Sequence, residues 1–132
     1  MSRCIIGVGS EIEGKIYNSV IGCGVRIGKG SVVRDSIIMN ETVIGDGCEI
    51  TKAIIAEKVK VGNNVKMGVG DEVPNDTAPQ IYTDGLVTVG EKSIIPDGVS
   101  IGKNSVVYGV TTPGDYEGNY LASGKTLITA EE

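Results

Sequence analysis

The chain has 132 residues, a net charge of −5, 40% hydrophobic residues, and no Phe, Trp or His. An acidic balance excludes the basic face that nucleic acid or an anionic membrane surface requires. The lack of histidine removes the usual general base and the usual three-histidine zinc site together. Twenty glycines punctuate a chain rich in Ile and Val, which describes short strands and many turns.

No stretch approaches the roughly 18 consecutive apolar residues of a membrane helix. The opening Met1-Ser2-Arg3-Cys4-Ile5-Ile6-Gly7 breaks its apolar run at once, unlike a signal peptide. Cys4, Cys23 and Cys48 are odd in number and lack metal-type spacing, so they read as reduced thiols of a cytoplasmic protein.

In chain order, Ile6–Glu11 forms one apolar-led hexad, and Ile12–Lys15 is short and irregular. From Ile16 the chain cuts before each apolar leader into pieces of 5, 6 and 6 residues, three times over. The leaders Ile16, Val33, Ile50 and Met67 therefore recur every 17 residues (33 − 16, 50 − 33, 67 − 50). A three-sided coil of 17 residues fits this period; a helical period of 3.6 does not.

Stacking such coils predicts inward ladders of Ile21, Ile38 and Ile55, of Ile27, Ile44 and Val61, and of Val20, Ile37 and Ile54. Smaller residues fill the remaining interior: Val25, Thr42 and Val59, and Ser31, Cys48 and Val65. Gly24, Gly30, Gly47, Asn64, Gly98 and Asn104 fall at corners, where a positive φ is tolerated most cheaply by Gly and Asn. An offset of 17 sets Lys29 under Asp46, Asp35 under Lys52, Glu41 under Lys58 and Glu49 under Lys66, so opposite charges support the register.

The pattern stops after Met67-Gly68 and restarts at Val89, Ile95, Ile101 and Val107. The expected organisation is a hexapeptide-repeat β-helix over 1–112 with an inserted loop at 69–86. An irregular tail at 113–132 would then fold over one end. About six coils at about 4.8 Å each make a rod roughly 25–30 Å long. Parallel crossovers are normally right-handed. Hexapeptide-repeat proteins are an exception, and the chain resembles them. The expected fold is therefore all-β, a single-stranded left-handed parallel β-helix.

More specific phrases lie within the coils. Gly14-Lys15-Ile16-Tyr17-Asn18-Ser19-Val20-Ile21, Val33-Arg34-Asp35-Ser36-Ile37-Ile38-Met39 and the restart Asp84-Gly85-Leu86-Val87-Thr88-Val89-Gly90 resemble the glucose-1-phosphate adenylyltransferase family, in its C-terminal β-helix domain. The resemblance runs from about Ile12 to Val107. It implies a part of an enzyme making ADP-glucose from ATP and glucose 1-phosphate in glycogen biosynthesis. The family's catalytic nucleotidyltransferase domain lies N-terminal to this region, and its Gly-rich, Arg-containing loop is absent here. The resemblance further implies that the chain alone is not catalytic and that the catalytic domain or subunit is its partner. It also implies homo-oligomer assembly and effector sites for phosphorylated metabolites.

Two other readings stand beside it: an independent β-helix scaffold for protein partners, and a divergent acyltransferase working without histidine. No catalytic residue, metal or cofactor is expected. The candidates for an effector anion are Arg26 and Lys60, which share one column with Val43 between them, and Arg3 and Lys15 near the first coil.

Overall fold

A computed structural model describes residues 4–69, 86–109, 111, 116, 120–121 and 123–128. Strands of two to four residues alternate with tight turns, and every pairing is parallel. The strands, numbered along the chain, build three faces. The first face stacks β1 (Ile5–Ile6), β4 (Val20–Ile21), β7 (Ile37–Ile38), β10 (Ala53–Ile55), β13 (Val87–Val89), β16 (Val106–Tyr108) and β18 (Thr126–Ile128). The second stacks β2 (Glu11–Ile12), β5 (Arg26–Ile27), β8 (Val43–Ile44), β11 (Lys60–Val61) and β14 (Ile94–Ile95). The third stacks β3 (Lys15–Tyr17), β6 (Val32–Arg34), β9 (Glu49–Thr51), β12 (Lys66–Val69), β15 (Ser100–Gly102) and β17 (Tyr120–Leu121). Each face meets the next at a corner, so the chain winds a three-sided solenoid of about six coils.

Such short strands would not persist alone. They are held by side-chain ladders that bury one residue per strand. Ile21, Ile38, Ile55, Val89 and Val107 line the first face, and Ile27, Ile44, Val61 and Ile95 the second. Ile16, Val33, Ile50, Met67 and Ile101 line the third, all buried. Burying one such side chain contributes roughly 1.5–3 kcal/mol, so the columns carry most of the stability.

The structure corrects one ladder. Val20 and Ile37, expected inside, are each 42% exposed, and Ile54 is half-buried. Successive side chains of a strand point to opposite faces. Once Ile21, Ile38 and Ile55 face in, their predecessors must face out.

The small interior residues sit where the period puts them, with Val25, Ser31, Thr42, Cys48, Val59 and Val65 fully buried. Their hydroxyls are used twice. Ser36 Oγ donates to the Arg34 carbonyl at 2.7 Å and accepts from the Ala53 N–H at 3.1 Å. Thr42 Oγ1 donates to the Ala56 carbonyl at 2.7 Å and accepts from the Val59 N–H at 3.3 Å. Among the described residues no buried side-chain nitrogen or oxygen lacks a partner. The corner residues Gly24, Gly30, Gly47, Asn64, Gly98 and Asn104 all have positive φ. So do Asn18, Asp35 and Lys52, at the corner of the five-residue side.

The 17-residue offset of the charged pairs holds, as in the register of Glu49 with Lys66, but their chemistry differs. Asp46 Oδ1 accepts the Lys29 backbone N–H at 3.0 Å, and Asp35 Oδ1 accepts the Asn18 amide at 2.8 Å. These carboxylates cap groups of the coil beneath.

The coil length changes towards both ends. Ile5 pairs with Val20, a step of 15, because the Ile12–Lys15 corner is short. Ala53 pairs with Val87, a step of 34, so the ladder passes over one further 17-residue stretch. The loop expected at 69–86 lies outside the described residues, except that Val69 ends β12 and Leu86 precedes β13. The tail is not irregular throughout. Ser100 pairs with Tyr120 and Val106 with Thr126, so β17 and β18 extend two faces with a step of 20. A 20-residue coil carries no hexad period, which is why the strands escaped a reading by repeats. Tyr116 is buried against the same core, its hydroxyl 2.9 Å from Thr111 Oγ1.

Candidate functional site

The fold separates the sequence-derived candidates. Arg26 and Lys60 project from β5 and β11 of the second face, each in register with Val43. Arg26 Nε lies 3.1 Å from Glu11 Oε1, both side chains about two-thirds exposed. A shallow depression of about 350 Å³ beside Arg26 is lined also by Glu11, Glu13 and Asp46. Three carboxylates around one paired guanidinium oppose an anion, and Lys60 does not line this depression.

Lys15 belongs to the third face, at the first coil. It borders a concavity of about 330 Å³ formed with Ile6, Ile12, Gly14, Ile16 and Tyr17. Ile6 has the inward position of its strand yet remains 40% exposed, because no coil covers it in the described residues. Among the described residues this end is an apolar recess with the Lys15 ammonium at its rim. Arg3 lies outside the described residues, so only Lys15 of that pair can be placed.

Cys48 is buried one coil above Ser31, whose Oγ accepts its N–H, with its Sγ 3.1 Å from the Gly62 carbonyl. Burial pushes its thiol up from the ordinary value of 9.0, which keeps it protonated and unreactive. Among the described residues no cluster of three His, Cys, Asp or Glu side chains could hold a metal. No helix of the described residues is long and apolar enough to cross a membrane.

Two surface features were not read from the sequence. Arg34 stacks over the Tyr17 ring at 5.5 Å on the third face. The 17-residue offset (34 − 17) would have paired them. The outward apolar positions Val20 and Ile37 were assigned inside; their adjacency to Ile21 and Ile38 was the signal that both could not be buried.

Comparison with known proteins adds what the faces do not. The chain is 52% identical over 130 residues to a glucose-1-phosphate adenylyltransferase of Lachnospira eligens, covering 98% of this chain and 31% of that protein. It is 39% identical over 132 residues to the same enzyme of Acetivibrio thermocellus, covering 100% of this chain and again 31% of the relative. The chain thus spans about a third of these relatives, in their C-terminal part. Among solved structures, the H141N mutant of perosamine N-acetyltransferase from Caulobacter crescentus superposes with a TM-score of 0.70 at 13% identity, over 95% of this chain and 54% of that one. A likeness at that identity is one of fold alone. Residues 1–89 match the model of the GlmU-like C-terminal hexapeptide domain, so two independent lines converge on the repeat read from the 17-residue period, and the chain belongs to that hexapeptide family.

Proposed function

We propose that the chain is the assembly and regulatory β-helix of a glucose-1-phosphate adenylyltransferase, acting in the cytoplasm beside a nucleotidyltransferase domain that forms ADP-glucose from ATP and glucose 1-phosphate. One observation carries the reading. Identity to such enzymes runs over 98–100% of the chain, well beyond the few apolar and glycine positions that any hexapeptide coil needs.

The geometry supports a scaffold role. The interior is packed with aliphatic side chains, and the depressions on its surface are shallow. Hexapeptide acyltransferases take a proton from the acceptor with histidine, and this sequence has none. Lys15, beside the recess at the first coil, is the described cation best placed to meet a phosphorylated effector at a junction with another domain. The unpaired strand edges of a solenoid end also favour association into an oligomer.

The test is a chimera in which this chain replaces the matched C-terminal third of the Lachnospira eligens enzyme. The chimera is expected to form ADP-glucose, and this chain alone to form none. A chimera no more active than the enzyme truncated before the β-helix contradicts the proposal.

A further inference from the structure

We draw no further inference here: the strongest candidate, the apolar recess that Ile6, Ile12, Ile16 and Tyr17 line at the first coil, belongs with Lys15 to the site already described, and nothing among the described residues shows what covers it.

Discussion

Gly45→Ala is expected to destabilise the chain by about 2–4 kcal/mol, measured by denaturant unfolding, although it removes nothing from the core. The cause is the stacking of turns. A Cβ at Gly45 would meet Asn63 Oδ1 and the Gly62 carbonyl oxygen, the latter at 2.7 Å. Asn63 Oδ1 is held there because it accepts the Asp46 N–H at 2.9 Å. The added methyl must displace that side chain, break its hydrogen bond or push two coils apart. Gly28 and Gly62 face Asp46 and Asp97 in the same way, so the crowding runs through successive coils. A cost below about 0.5 kcal/mol would show that the coils slide to make room.

Ile50→Ala is the second large effect. Ile50 is fully buried between Val33 and Met67 on the third face. Truncation leaves a cavity that the rigid ladders on either side cannot collapse, and the expected loss is about 3–5 kcal/mol. The corresponding change at outward Ile37 is expected to cost less than about 1 kcal/mol in the isolated chain. Comparable losses at both positions would contradict the assignment of inside and outside.

The period of 17 was legible because every regular coil repeats one set of steric demands: a large aliphatic leader, a small inward residue and a corner. It predicted the columns of Ile21, Ile27 and Cys48 and the positive φ of Gly24 and Asn104. It did not distinguish Ile37 from Ile38, because adjacent isoleucines look equally apolar and only strand pleating separates them. It also missed the need for glycine at the second position of several hexads, Gly28, Gly45 and Gly62 among them. Its need comes from the Asn or Asp of the next coil, as Asn63 stands over Gly45, a contact between coils that no local rule signals.

Surface chemistry was harder to read. The second face could be seen to align Arg26 with Lys60, but Glu11 sits 15 residues before Arg26. The shortened first coil therefore hid the partner that neutralises it. Lys15 was placed near the first coil by sequence, and the recess beside it required the structure. The strands of the last coil were invisible for the same reason as Glu11, since their step departs from 17.

The most direct test of the account is removal of one whole coil. Deleting residues 34–50, a stretch of 17, joins Val33 to Thr51, whose register partner is Arg34. Every column then closes one step shorter, with Ser31 facing Val65 and Gly28 facing Asn63 as their predecessors did. The account predicts a shorter solenoid that still unfolds cooperatively, with β-sheet circular dichroism reduced in proportion. Deleting residues 35–50 instead shifts each following side chain to the opposite face and is expected to abolish folding. Unfolding of the 17-residue deletion, or survival of the 16-residue one, would contradict it.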